Sequence, residues 1–242
     1  MSKNVVIACD FNSKEKLESF LDQMEGATDF YCKIGMELFN TGALLGFNPV
    51  EMVKLRGHKV FMDLKNYDIP NTLGNTFKVL AGAGVDIINI MAESGSKGMM
   101  AARSAIDEVC EQKGIAKPIL LAVTVLTSKS KADLEELGIE ATPEQQVIRL
   151  AKLAKASGCD GVVCSPEEIR SVKDACGKDF VTLTPGIRFA DSGSDDQTRI
   201  ATPAYASKMG TDFIVVGRPI TQAQNPKEVY SMCKRDFVGL SR

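Results

Sequence analysis

KVFMDLKNYDIPNT, residues 59–72, begins as an apolar run and ends in charged and turn-forming residues. The apolar run predicts a buried strand. Alternate side chains of a strand share a face, so Asp63 and Lys65 are expected side by side. Asp68 falls past the strand end, just before Pro70, which disfavours helix at the residue preceding it. Such charges suggest a catalytic row, but this spacing alone more often marks a solvated salt bridge. Other parts of the sequence are needed to choose between these two interpretations.

Short apolar runs of this kind recur along the chain and alternate with amphipathic helical patterns. The predicted strands are 4–10, 30–35, 59–65, 85–91, 118–126, 161–165, 180–187 and 213–219. They are continuously apolar, as expected for parallel strands that are buried on both faces. Eight strands with intervening helices, and no Pro/Gly/Ser-rich linker, predict a single (β/α)8 TIM barrel in which residues 1–242 form one domain.

Helix signals support the same fold. Ser13 is a plausible N-cap for the first helix, and Thr142-Pro143 opens a later helix that should stop at Gly158. The main alternative is an open doubly wound sheet. The first strand is not followed by the Gly-x-Gly-x-x-Gly turn of a dinucleotide fold, so this alternative receives no support.

Composition argues against several classes of function. The 242 residues carry 29 Lys and Arg against 31 Asp and Glu, and a net charge of −2 does not favour a nucleic-acid or membrane surface. No segment approaches the roughly 18 apolar residues of a membrane span, and no signal peptide is recognisable, so we expect a cytoplasmic protein. Seven scattered cysteines and a single histidine, His58, argue against a zinc site and fit reduced thiols.

Polar residues stand at the predicted carboxyl ends of the strands, where a barrel of this type builds its active site. They are Asp10, Lys33, Asp63, Lys65, Thr127, Ser128, Arg188 and Arg218. Each could be a cap, a loop residue or a surface charge when taken alone. Burying charges is costly unless they are paired, so two aspartates and two lysines that converge on one end favour a functional site.

The ends of the last two strands add a second signal. Gly186, Arg188, Gly217 and Arg218 lie where barrels often bind phosphate, and the guanidinium fork of arginine matches phosphate oxygens. A phosphorylated small molecule is therefore the expected ligand. The long segment 189–202 has the length of a loop that closes over a ligand, although it could equally be a plain surface loop.

Together these motifs resemble the orotidine 5′-monophosphate decarboxylases of the bacterial type over nearly the whole chain. The matching motifs are Asp63-x-Lys65-x-x-Asp68-Ile69-Pro70-Asn71-Thr72, Lys33-Ile34-Gly35, Leu126-Thr127-Ser128, Thr184-Pro185-Gly186-Ile187-Arg188, Asp196-Gln197 and Val216-Gly217-Arg218-Pro219-Ile220. The chain departs from the family at Tyr67 and Met91, where related bacterial enzymes often have histidine. Neither position is reactive, so the departures concern local packing only.

The resemblance implies that the chain converts orotidine 5′-monophosphate to uridine 5′-monophosphate, the last step of de novo UMP synthesis, without metal or cofactor. The implied catalytic residues are Asp63, Lys65, Lys33 and Asp68, with Asp63 beside the substrate carboxylate and Lys65 protonating C6. The implied binding residues are Asp10 and Lys33 for the ribose, Thr127 for the pyrimidine, and Arg188, Gln197, Gly217 and Arg218 for the 5′-phosphate. In the homodimer that the family implies, Asp68, Ile69 and Thr72 would complete the other subunit's site.

Two other functions stay open. A magnesium-dependent phosphosugar decarboxylase or aldolase of the same suprafamily shares Asp-x-Lys-x-x-Asp, but it holds the metal partly through an acidic residue where this chain has Lys33, and a charged lysine cannot ligate magnesium. A non-catalytic nucleotide-phosphate sensor could keep the same barrel. The intact row of charges argues against the sensor.

Overall fold

The structure is a computed structural model that describes residues 3–28, 30–189 and 201–239. Eight parallel strands form a closed barrel in chain order, and the last strand pairs with the first. The strands are β1 (Asn4–Ala8), β2 (Phe30–Gly35), β3 (Lys59–Asn66), β4 (Ile87–Met91), β5 (Ile119–Val123), β6 (Gly161–Val163), β7 (Val181–Thr184) and β8 (Phe213–Val216). The predicted (β/α)8 TIM barrel is confirmed.

Helices connect these strands on the outside of the barrel. They are α1 (Lys14–Gln23), α2 (Met36–Leu45), α3 (Pro49–Leu55), α4 (Pro70–Gly82), α5 (Gly95–Lys113), α6 (Lys131–Glu136), α7 (Pro143–Ala156), α8 (Ile169–Cys176), α9 (Pro203–Met209), α10 (Arg218–Thr221) and α11 (Pro226–Val238). Among the described residues, no helix combines the length and apolar character needed to cross a membrane.

The predicted helix signals are present. The Ser13 side chain caps α1 by accepting a hydrogen bond from the Lys16 amide at 3.3 Å. Thr142 and Gln145 form a reciprocal capping box at the start of α7. The helix ends at Ala156, just before Gly158, whose φ of 86° is the left-handed conformation that glycine adopts without steric cost.

Strand side chains alternate between two apolar layers. The outward layer packs against the helices; Met62 of β3 and Ile88 of β4 belong to it. The inward layer fills the barrel and includes Phe61 of β3, Leu183 of β7 and Val215 of β8. This inward layer also forms the floor of the cavity that opens at the carboxyl ends of the strands.

Five strands (β1, β5, β6, β7 and β8) end two or three residues earlier than predicted. β7 stops at Thr184 because Pro185 has no amide hydrogen for the ladder and Gly186 turns with a φ of 80°. Four of the eight polar residues predicted at strand ends therefore lie in the loops that follow the strands: Asp10, Thr127, Ser128 and Arg188. β2 and β3 differ, because they carry their charged residues within the strand, and β3 continues to Asn66.

All seven cysteines lie in the described residues, and each is buried and free of disulfide bonds. Burial is the main cause that raises the pKa of Cys159 and Cys233 to about 12. Thiols in this state are inert core residues rather than nucleophiles, because the reactive species is the thiolate.

Candidate active site

A cavity of about 420 Å³ opens at the carboxyl ends of the strands. This volume lies within the range typical of small-molecule sites. Its floor is apolar and is built from inward residues of the strands, including Ala8, Phe61 and Val123. The polar groups lie around the floor in two sets, one on the side of β1 to β3 and the other after β5, β7 and β8.

The first set is a row of four alternating charges. The ammonium of Lys33 lies 2.9 Å from an Asp10 oxygen and 3.3 Å from Asp63 Oδ2. The ammonium of Lys65 lies 2.9 Å from Asp63 Oδ1. The order Asp10, Lys33, Asp63, Lys65 runs from β1 through β2 to β3, and all four side chains line the cavity.

Lys33 is the most buried member of the row, with its side chain 11% exposed. Burial disfavours its charged form, but the nearby carboxylates of Asp63 and Asp10 outweigh burial and raise the pKa of the Lys33 ammonium above its ordinary value. The row therefore keeps its central positive charge at neutral pH. An uncompensated buried ammonium would be costly, so its two carboxylate partners are needed for the fold as well.

The row needs space that the end of β2 provides. A Cβ atom placed on Gly35 would lie 3.0 Å from Lys33 Nζ and 3.2 Å from Asp10 Oδ1. Both distances are shorter than ordinary van der Waals contacts, so a side chain here would require Lys33 and Asp10 to shift by a few tenths of an ångström. Gly35 thus allows Lys33 to reach Asp10 across the strand end.

Lys65 contacts Asp63 from a backbone conformation that regular strand geometry does not predict. Its φ is 51°, an uncommon conformation for a residue with a side chain, and the pairing of β3 with β4 shifts register between Met62 and Asn66. The two side chains do lie together, as expected, but simple alternation along β3 is not the reason. The bulge in β3 turns Lys65 toward the cavity.

The described chain does not bring Asp68 into this row. Asp68 is exposed, and its Oδ1 accepts a hydrogen bond from the amide of Ile69 at 2.6 Å. Ile69 and Thr72 are exposed as well, and none of the three lines the cavity. The lysine that lies between two carboxylates of its own chain is Lys33 and not Lys65.

The second polar set follows β5, β7 and β8. Thr127, Gly186, Arg188, Gly217 and Arg218 all line the cavity. Arg188 is buried, and its Nη1 donates to the Ile187 carbonyl at 3.0 Å, which orients the guanidinium. Arg218 is exposed at the start of α10. The two arginines give this side of the cavity a positive potential suited to a phosphate.

Gln197 and most of the loop 189–202 lie outside the described residues. Within the parts of the chain that are described, no three His, Cys, Asp or Glu side chains converge as a metal site would require.

Two residues of the site were missed by sequence reasoning. Gly35 enters the sequence prediction only through the Lys33-Ile34-Gly35 motif, and Asn89 is not among the predicted site residues. Asn89 is fully buried in β4 and contacts both Asp63 and Lys65. The signal for Asn89 was available, because a single polar residue interrupts the apolar run Ile87-Ile88-Asn89-Ile90 and buried polar groups are normally hydrogen-bonded.

Comparison with known proteins places this site in a family. The model of the orotidine 5′-phosphate decarboxylase / HUMPS family matches residues 3–233. An orotidine 5′-phosphate decarboxylase of Bacillus cytotoxicus is 45% identical over 242 residues, which cover both chains completely.

Solved structures agree with this match. The crystal structure of orotidine 5′-phosphate decarboxylase from Lactobacillus acidophilus superposes with a TM-score of 0.85 at 36% identity, covering 98% of this chain and 99% of the other. An uncharacterized conserved protein from Geobacillus kaustophilus superposes with a TM-score of 0.84 at 36% identity, covering 96% of this chain and 99% of that one. The family match spans both polar sets of the cavity and the strands that carry them, so the chain belongs to the orotidine 5′-phosphate decarboxylase / HUMPS family.

Proposed function

We propose that this protein decarboxylates orotidine 5′-monophosphate to uridine 5′-monophosphate without a metal or cofactor. The observation that carries the proposal is the row of Asp10, Lys33, Asp63 and Lys65 facing Arg188 and Arg218 across one cavity. Relatives named orotidine 5′-phosphate decarboxylase support it at 45% identity over the full length.

The nucleotide would bind with its phosphate at the arginines and its ribose at Asp10 and Lys33. Gln197, Gly217 and Thr127 complete the proposed contacts, the first two at the phosphate and the third at the pyrimidine. The apolar floor suits the faces of the pyrimidine ring. In this orientation the pyrimidine lies beyond the ribose contacts of Asp10 and Lys33. C6 and its carboxylate would then lie at the other end of the row, beside Asp63 and Lys65.

The proposed chemistry uses only charged side chains, which stabilise the negative charge on C6 and supply a proton. The bond between C6 and the carboxylate breaks, carbon dioxide leaves, and the electron pair stays on C6. The ammonium of Lys65 stabilises this negative charge and then donates its proton to C6, after which water reprotonates the amine. Asp63 holds the ammonium in place at 2.9 Å.

The proposal includes a homodimer in which Asp68, Ile69 and Thr72 of one subunit complete the site of the other. The surface around Asp68 fits it, since Tyr67 and Ile69 on either side of Asp68 are 64% and 65% exposed, and such an interface would bury both. A cytoplasmic location, a role in UMP synthesis and the action of residues 1–242 as one domain belong to the same proposal. The seven cysteines, which are buried and free of disulfide bonds, fit the cytoplasmic location.

The direct test is turnover of orotidine 5′-monophosphate, followed by the change in pyrimidine absorbance. We expect turnover by the wild type after dialysis against EDTA, and a loss of about 10³-fold in kcat for Lys65→Ala. Activity that requires added magnesium would favour the phosphosugar class of enzyme. Tight binding of uridine 5′-monophosphate with no release of carbon dioxide would overturn the enzymatic function and favour a sensor.

A further inference from the structure

Asn89 of β4 is a buried polar side chain in the barrel interior for which the chemistry described above has no role. Its side chain is fully buried beside the row of charges. Its Nδ2 donates to Asp63 Oδ1 at 2.6 Å, and its Oδ1 accepts from the main-chain amide of Lys65 at 2.8 Å. One amide group therefore contacts two residues of the proposed catalytic set.

We propose that Asn89 is a positioning residue for the decarboxylation. It fixes the Asp63 carboxylate and the backbone of Lys65 relative to each other, so that the Lys65 ammonium is held where the charge develops on C6. This inference rests on the proposed function.

The backbone of Lys65 shows why such a contact is needed. A positive φ costs roughly 1 kcal/mol or more for a residue with a side chain, and Lys65 adopts 51° within a bulge of β3. The pairing of β3 with β4 shifts register at this point, and Asn89 Oδ1 accepts the hydrogen bond of the Lys65 amide. The contact stabilises the conformation that turns Lys65 toward the cavity.

The same amide also restrains Asp63. Asp63 Oδ1 accepts both from Asn89 Nδ2 and from Lys65 Nζ, the latter at 2.9 Å. Asn89, Asp63 and Lys65 thus form a closed ring of hydrogen bonds through one carboxylate oxygen. Asparagine suits this position because one short side chain carries both a donor for the carboxylate and an acceptor for the amide. Aspartate would supply only acceptors, and leucine would supply neither.

The position of Asn89 predicts which kinetic constant it controls. The proposed ribose and phosphate contacts come from β1, β2 and the loops after β7 and β8, whereas the Asn89 side chain forms its hydrogen bonds with Asp63 and Lys65 of β3. Losing the Asn89 contacts should therefore lower kcat and leave KM nearly unchanged. A purely structural residue would instead reduce the fraction of folded protein without this separation.

The experiment compares three variants with the wild type in orotidine 5′-monophosphate turnover. Asn89→Leu keeps the branched shape and the number of heavy atoms and removes both hydrogen bonds, and we expect kcat to fall about 10- to 100-fold with KM within about threefold. Thr124→Val is the matched control. Thr124 is also buried, on the loop that leaves β5, but its hydroxyl donates at 2.9 Å to the Val163 carbonyl and does not contact the row. It should lose stability and keep its kcat.

Asn89→Asp supplies a pH signature that a structural role would not produce. Its second oxygen would face Asp63 Oδ1 at the 2.6 Å that the Asn89 amide now spans, so the two carboxyl groups must share a proton to restore the donor. We expect its kcat, expressed relative to the wild type, to rise as pH falls from 8 to 5. This variant also serves if Asn89→Leu fails to fold.

The outcomes separate this inference from the proposed function. A wild type that never decarboxylates orotidine 5′-monophosphate defeats the proposed function. An active wild type whose Asn89→Leu variant keeps its kcat, or whose Asn89→Asp variant shows a flat relative pH profile, overturns the role of Asn89. Loss of kcat in Thr124→Val equal to that in Asn89→Leu would also overturn it, since the effect would then follow stability.

Discussion

Lys33 shows how single residues set the charge of the cavity. Because its pKa is raised in the folded state, the stabilisation from its ion pairs is fully present below the ordinary lysine value near 10.4 and is lost only as pH rises through the higher folded pKa. The charge of Lys33 is therefore constant across the physiological range. The position of the Lys33 ammonium, by contrast, depends on the absence of a side chain at Gly35.

Gly35→Ala tests that dependence at the residue scale. The backbone of Gly35 has a φ of −88°, which alanine also adopts, so the substitution adds no backbone strain, and any loss in the free energy of unfolding comes from the disturbed ion pair. The new Cβ would shift the Lys33–Asp10 pair by a few tenths of an ångström, and we expect kcat/KM for orotidine 5′-monophosphate to fall by up to about 10-fold. Gly74→Ala is the control, because its Cβ would meet nothing closer than 3.8 Å. Unchanged turnover in Gly35→Ala would show that the pair can adjust freely.

At the scale of elements, the same hydrogen-bond pattern recurs at the amino ends of three strands. An aspartate precedes each of β4, β6 and β8, and its Oδ2 accepts the amide of a residue in the strand before it, each time at 2.8 Å. The aspartates are Asp86, Asp160 and Asp212, the amides belong to Val60, Leu120 and Thr182, and the paired cations are Lys54, Arg103 and Lys173. Each aspartate thus joins two strands and a helix at the end of the barrel opposite the cavity.

Asp212→Ala should be the more destabilising member of a matched pair of variants. The Asp212–Lys173 pair is 18% and 12% exposed, so removing the carboxylate leaves a buried ammonium and should lower the free energy of unfolding by about 3 kcal/mol. Asp86→Ala breaks a pair that is 27% and 37% exposed and should cost about 1 kcal/mol. Urea unfolding followed by circular dichroism measures both. Equal losses would mean that burial of the ion pair does not set the cost.

The proposed sharing of active sites between two subunits is tested at the scale of the whole molecule. Lys65→Ala and Asp68→Ala should each be nearly inactive as homodimers. If Asp68 serves the partner's site, the two variants refolded together should regain about a quarter of wild-type activity, because half of the dimers are mixed and each mixed dimer has one intact site. If Asp68 serves its own chain, every mixed dimer lacks an intact site and the activity stays near zero.

His58 predicts how the stability of the whole molecule depends on pH. It is the only histidine of the chain, and its ring lies 4.0 Å from that of Phe30. Burial, followed by the charge of Arg56, lowers the pKa of His58 below its ordinary value. The unfolded chain therefore binds a proton first, and stability is lost as pH falls below about 6.5 and through the folded pKa.

Thermal unfolding at pH 7.5 and 5.5 measures this effect. We expect the melting temperature of the wild type to fall further from pH 7.5 to 5.5 than that of His58→Phe. The variant keeps an aromatic ring against Phe30 and cannot be protonated. Equal losses would assign the pH dependence to carboxylates alone. Kinetic constants at pH 7.5 should be the same in both proteins, since His58 precedes β3 at the end of the barrel opposite the cavity.

The amino-acid sequence by itself determined the barrel, the end of the barrel that carries the site, and most residues that line the cavity. Continuous apolar runs, helix caps and charged residues at strand ends are local signals, and parallel strands in chain order bring their carboxyl ends together in only one way. Asp10, Lys33, Asp63, Lys65, Thr127, Arg188, Gly217 and Arg218 were all predictable on these grounds and line one cavity.

Only the tertiary structure decided which charges are neighbours and what holds them. The position of Lys33 between two carboxylates, the space above Gly35 and the bond from Asn89 to the Lys65 amide depend on the register of β2, β3 and β4. Register arises from the closure of all eight strands, and the bulge in β3 changes the direction of a side chain without any mark in local periodicity. Contacts across strands are therefore visible only once the barrel is closed.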